Sequence, residues 1–144
     1  MRVLVQRSKN SRVEVENKIV GKIESGLVVL VGFTEGDSFD TIEKMVKKIV
    51  NLRIFPDEEG VMNKSILEYG GDILSISQFT LYADTVKGNR PSYVKAMNGE
   101  KAIKLYEIFN EELRKYVTVE TGVFGAHMEV FITNTGPISI LLEK

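Results

Sequence analysis

The chain has 144 residues, 43% hydrophobic and 27% charged, with a net charge of −1. That length suits one folded unit over residues 1–144, able to bury roughly 70% of the surface its unfolded chain exposes without a disulfide or metal staple. The absence of cysteine excludes thiol catalysis, iron–sulfur clusters and thiolate zinc sites and suits a reducing cytoplasm, while the near-neutral charge gives no global signature of nucleic-acid binding.

Val3 and Val5 alternate with Leu4 and Gln6, a short strand rather than a signal peptide. Val13–Glu16 and Ile19–Ile23 alternate around Asn17-Lys18, which predicts a hairpin with one wet face. Leu27–Val31 is continuously apolar and predicts a strand buried on both faces. A helix follows. Ser38 or Asp40 can cap it, and Asp40-Thr41-Ile42-Glu43 has capping-box spacing. Phe39, Ile42, Met45, Val46, Ile49 and Val50 fall on one stripe.

Residues 56–72, rich in Asp, Glu, Gly and Asn, predict a long loop. Ile73–Leu81 reads as a strand whose second half turns polar. A second helix is predicted over 99–116, with Ala102, Leu105, Tyr106, Phe109 and Leu113 on one face and Glu111 paired to Lys115. Strand patterns at Val117–Glu120, Met128–Thr133 and Ile138–Leu142 close the chain. Strands broken by two main helices predict an α+β fold with a largely antiparallel, barrel-like sheet. No apolar stretch reaches the ~18 residues of a membrane span, so no membrane partner is expected.

Elimination narrows the chemistry. Neither G-x-G-x-x-G nor a P-loop occurs. Asp57-Glu58-Glu59-Gly60 faintly suggests a calcium loop, but Met62 stands where glycine is needed. His127 is the single histidine, a type more often structural than catalytic, and no G-x-S-x-G elbow accompanies it. No metal and no cofactor are expected.

Three segments remain unusual. Ser77-Gln78-Phe79-Thr80 puts hydroxyls, an amide and an aromatic at the end of an apolar strand. Alternation sends Ser77 and Phe79 to one face and Gln78 and Thr80 to the other; a plain polar strand end accounts for them as well. Gly88-Asn89-Arg90-Pro91-Ser92-Tyr93, flanked by Lys87 and Lys95, makes either a small basic patch or a solvated loop. Asn134-Thr135-Gly136-Pro137-Ile138-Ser139 separates two apolar strands. It reads as a turn, because proline cannot donate to a ladder, or as a Gly–Pro cis bond that aims two carbonyls at an ammonium group.

These segments stand in order with Met1–Arg7, Leu52-Arg53-Ile54-Phe55 and Gly60-Val61-Met62-Asn63. Together they make the chain resemble the D-aminoacyl-tRNA deacylase family over essentially its whole length. The resemblance implies a cytoplasmic hydrolase that frees D-amino acids from tRNA and also acts on glycine mischarged to alanine tRNA. It implies a homodimer of barrel-like subunits with active sites at the interface. The implied partner is tRNA carrying a D-amino acid or glycine, not DNA. By the same resemblance, Ser77, Gln78, Phe79 and Thr80 are catalytic positions. Gly136 and Pro137 enter the partner's pocket and exclude L-amino acids, and Arg7 supports them. Thr135, Ile138, Ser139 and His127 depart from the residues common in the family. Tyr82 or Phe79 is a candidate to stack on the terminal adenine. The rival readings are a general esterase or thioesterase, which would cleave small acyl esters, and a non-enzymatic binding module.

Overall fold

The computed structural model describes every residue from Met1 to Lys144. Its first third is one long hairpin: β1 (Arg2–Val15) pairs antiparallel with β2 (Lys18–Gly32) along nearly their full lengths. The short strand, the hairpin and the buried run predicted separately are parts of this ribbon. Its turn residues Glu16 and Asn17 both have positive φ, 49° and 61°, the I′ geometry that matches the twist of paired strands.

β5 (Asp72–Ser77) lies parallel to β2, β6 (Val119–Thr121) lies parallel to β5, and β7 (Glu129–Glu143) pairs antiparallel with β1. The sheet order is β6-β5-β2-β1-β7. It is therefore mixed and open, which corrects the largely antiparallel, barrel-like expectation. The reason lies in the connections. Helical segments join β2 to β5 and β5 to β6, and such crossovers return the chain parallel.

There are three helices: α1 (Phe39–Val50), α2 (Ile66–Tyr69) and α3 (Gly99–Arg114). Ser38 caps α1 with Thr41 as its reciprocal partner. Asp40 and Glu43, predicted to form the box, instead pair with Lys44 and Lys47 one turn on. Ile42, Met45, Val46, Ile49 and Val50 are buried, whereas Phe39 at the first position is exposed. Lys115 bonds Glu112 rather than Glu111, because α3 ends one residue before it. Residues 56–72 are not an open loop. β3 (Phe55–Pro56) and β4 (Met62–Lys64) form a small hairpin, and α2 follows under a Ser65–Glu68 capping box.

α1 and α3 cover one face of the sheet, where Val3, Val5, Leu27, Val29, Val31 and Ile73 meet Ile42, Met45, Ile49, Phe109 and Leu113. Val28, Leu74 and Ile76 alternate to the opposite face and join Val13 and Ile23. The unbroken apolar run at 27–31 thus serves two clusters, one on each face. No helix is long and apolar enough to cross a membrane.

Candidate functional site

The strand predicted over 73–81 stops at Ser77. Gln78 turns the chain out of the sheet, and Phe79–Tyr82 form a single 3-10 turn. Three contacts fix this departure. Gln78 N–H donates to Val31 O at 2.7 Å, Leu81 N–H to Gln78 O at 3.3 Å and Ala83 N–H to Thr80 O at 3.0 Å. Gly32 lets the turn come close, since a Cβ there would stand 2.8 Å from Gln78 O. Arg2 holds the far end: its guanidinium donates to Leu81 O at 2.8 Å, lies 4.7 Å over the Tyr82 ring and pairs with Glu143. No sequence signal marked Arg2, because its partner carbonyl is 79 residues away.

The turn breaks the strand alternation. Ser77, Gln78 and Phe79 all face one cavity of about 490 Å³. Thr80 stands just outside its wall, where its hydroxyl accepts from Gln78 Nε2. The N–H groups of Phe79 and Thr80 precede the first internal bond of the turn. They are free of it for the same reason that the first amides of any helix are.

The rest of the wall is mostly apolar, and apart from His127 no sequence signal marked it. It comprises Val31 from β2 and Phe33 just after it, Met97 and Ala102 around the start of α3, and Phe124, Ala126, His127 and Met128 before β7. These residues read as ordinary core or loop, and only the fold gathers them. Tyr106 braces the wall from α3. Its hydroxyl donates to Ser75 O at 2.8 Å, and its ring lies 5.8 Å from that of Phe124. Burial pushes its phenol pKa up. Tyr82, predicted as a base-stacking candidate, is buried against Arg2 and outside the cavity. Phe79 is more than half exposed at the cavity mouth.

Gly136, Pro137 and Arg7 gather elsewhere. The two strands predicted around 134–139 are one strand, β7, with a cis bond at Gly136–Pro137. β7 is an edge, so the missing proline N–H costs no ladder bond. Ser139 stands opposite Gln6 and Asn134 opposite Ser8, so residues 135–138 bulge out opposite Arg7 alone. Arg7 spans the bulge: Nε donates to Thr135 Oγ1 at 3.3 Å and Nη1 to Ile54 O at 2.8 Å. Asn134 accepts from Ile138 N–H at 3.1 Å from the other end. Gly136 has φ +118°, and a Cβ there would lie 2.9 Å from Ile138 Cγ1 and 3.1 Å from Arg7 Nη2.

The two groups do not meet within one chain. Ser77 lies in the row of Val31 and Val3, whereas Gly136 lies opposite Arg7, three strands across the sheet and four residues further along β1. At ~3.3 Å per residue and ~4.8 Å per strand, the separation is roughly 20 Å. No cluster of three or more His, Cys, Asp or Glu is placed to hold a metal ion.

The profile of the family described as D-Tyr-tRNA(Tyr) deacylase matches residues 4–143. D-aminoacyl-tRNA deacylase of Clostridium acetobutylicum is 51% identical over 145 residues, covering all of this chain and 97% of its own. The protein of the same name from Listeria monocytogenes is 54% identical, covering all of this chain and 96% of its own. A solved structure described as c-Myc DNA Unwinding Element Binding Protein superposes with a TM-score of 0.95 at 40% identity, covering 100% of this chain and 99% of that one. Another, described as a probable eukaryotic D-amino acid tRNA deacylase, shares the fold with a TM-score of 0.83 at 20% identity, covering 98% and 97% of the two chains.

Proposed function

The chain belongs to the D-Tyr-tRNA(Tyr) deacylase family, and from that premise we propose that its cavity takes the aminoacyl end of a tRNA and that a second copy of the chain completes it. The enzyme is a D-aminoacyl-tRNA deacylase, a hydrolase of the ester between amino acid and tRNA.

The observation that carries the proposal is the 3-10 turn at the cavity mouth. The free N–H groups of Phe79 and Thr80 suit the oxygen that gains charge as water adds to the ester carbonyl. The carbon–oxygen bond to the ribose then breaks, the ribose oxygen takes a proton, and the amino acid leaves as its carboxylate. The vicinal ribose hydroxyl assists the attacking water. An ester so activated needs modest help, since each tenfold in rate is only ~1.4 kcal/mol. Gln78 fixes the Thr80 hydroxyl, and Ser77 lines the floor. Phe79 and the apolar wall with Phe124 and Met128 suit the flat face of the terminal adenine.

Gly136 and Pro137 lie too far along their own sheet to reach this turn, so their role requires the partner's turn. Their carbonyls orient the α-ammonium, and the bulge fills the space an L side chain needs. Selectivity then works by exclusion. Glycine, lacking a side chain, escapes it, so glycyl-tRNA(Ala) is also a substrate. Charged tRNA places the enzyme in the cytoplasm.

The deciding assay is hydrolysis of D-tyrosyl-tRNA and L-tyrosyl-tRNA side by side, in chelator. Rapid loss of the D ester with the L ester intact is expected. Equal loss of both would remove the role given to Gly136 and Pro137.

A further inference from the structure

The segment from Asp84 to Lys95 plays no part in the cavity wall, yet it is built rather than loose. Asp84 and Ser92 exchange two backbone hydrogen bonds of 2.8 and 2.9 Å, closing the loop between them. Lys95 Nζ pairs with Asp84 at 2.9 Å, and Thr34 Oγ1 donates to Lys95 O at 2.6 Å. The loop is tied to the site at one point: the Tyr93 ring packs edge-on against Phe79, centroids 5.0 Å apart.

Its surface chemistry is one-sided. Asp84 is the only acid between Ala83 and Gly99, and Lys95 neutralises it. Lys87 and Arg90, both exposed, have no anionic or hydrogen-bonding partner in the chain. Val86 and Val94 beside them are 88% and 91% exposed, so the loop buries little of itself. The rim at the start of α3 differs, because Lys101 is paired with Glu35 and Glu100 adds a further negative charge. In a chain of net charge −1, this loop is a local positive surface at the mouth of the cavity.

We infer that the 84–95 loop is the tRNA-backbone clamp of this enzyme, with Lys87 and Arg90 gripping phosphates of the 3′ strand as it leaves the cavity past Phe79 and Tyr93. The inference rests on the reading that the cavity holds the terminal nucleoside. Arg90 stands three residue steps before Tyr93, at most ~11 Å of chain, so the first phosphates outside the cavity fall within reach of its side chain. Contacts of this kind fix position and carry no sequence information.

The test uses the full-length protein and two probes. Binding of uncharged tRNA is followed as a function of salt for the wild type, for Lys87→Ala/Arg90→Ala, and for the charge-matched control Lys44→Ala/Lys48→Ala on α1. Hydrolysis of a D-aminoacyl ester of adenosine is measured alongside. Removing two phosphate contacts should weaken tRNA binding about tenfold or more at low salt and flatten the log–log salt slope by roughly two, with the control unchanged. Hydrolysis of the adenosine ester should stay at the wild-type rate, and Lys87→Arg/Arg90→Lys should bind tRNA as the wild type does. Unchanged tRNA affinity and slope in the alanine pair would overturn the inference. So would an equal loss on the adenosine ester, which would make the loop a support of the cavity. A wild type that binds tRNA through this loop yet leaves the adenosine ester intact would sink the hydrolytic reading of the cavity and leave the clamp standing.

Discussion

Thr80 is the residue whose chemistry invites over-reading. Its hydroxyl accepts from Gln78 and stands outside the cavity wall, and no base touches it. A nucleophilic threonine needs a base within hydrogen-bond reach. Thr80→Ala should therefore keep kcat/KM within about tenfold of wild type, a loss of no more than ~1.4 kcal/mol in barrier. A variant that binds substrate and turns none over would make Thr80 a reacting group. Gly136 is the opposite case. Its φ of +118° and the atoms waiting 2.9 and 3.1 Å from a would-be Cβ leave no room for alanine. Gly136→Ala should displace Arg7 or Ile138 and lower the D-over-L preference on tyrosyl-tRNA, with circular dichroism as the check that the fold survives. An unchanged preference would detach this position from selectivity. Tyr82 yields a pH prediction. Burial, with Asp37 adding to it and Arg2 opposing, pushes its pKa from 10.0 up to about 12. The fold thus favours the neutral phenol. This contribution to stability is complete below pH 10 and is lost as pH rises from 10 towards 12. Tyr82→Phe should lose less stability than wild type across that window when alkaline unfolding is followed by circular dichroism.

At the scale of elements, periodicity did most where the helices are. Both long helices lie where their apolar stripes predicted, and α1 offers a clean probe. Ser38→Ala removes its N-cap hydrogen bonds, which should cost ~1 kcal/mol and lower Tm by a few degrees while leaving deacylation at 25 °C unchanged. A loss of activity at that temperature would mean that α1 acts on the site. The failures of the sequence reading share one cause. The pattern at 73–81 overshoots the strand by four residues, because alternation continues through Phe79 while Gln78 has already left the sheet. Pattern divides β7 into two strands, because proline usually ends one; on an edge it need not. The cavity wall of Ala102, Phe124 and Met128 was invisible, because each residue is unremarkable where it stands in sequence and only the crossovers through α3 bring them together. Local pattern reports a residue's neighbours in the chain, whereas the mixed order of the sheet depends on long connections that leave no periodic trace.

The whole molecule poses a problem that one chain does not solve. β7 is fifteen residues long and free along one side, with Phe131 and Leu141 40% and 51% exposed. Natural proteins shield long apolar edges of this kind. The same strand carries the bulge of Gly136 and Pro137, about 20 Å from the turn it is proposed to serve. A two-fold pair of chains answers both facts, since each copy would cover the other's apolar surface and lend its bulge to the other's cavity. The arrangement is testable by complementation. One variant keeps the bulge but displaces the turn, as in Gly32→Val, whose Cβ would stand 2.8 Å from Gln78 O. The other keeps the turn but loses the bulge, as in Gly136→Ala/Pro137→Ala. Neither should hydrolyse D-tyrosyl-tRNA alone, because the first misplaces the oxyanion donors and the second misaims the two carbonyls that orient the α-ammonium. Unfolded and refolded together in equal amounts, half of the pairs are mixed, and each mixed pair holds one intact site and one doubly defective site, so about a quarter of wild-type activity should return. If both proteins refold and pair but no activity returns, each cavity must be served by its own chain's bulge, and the sheet would have to bend far from the form seen here to bring the two together.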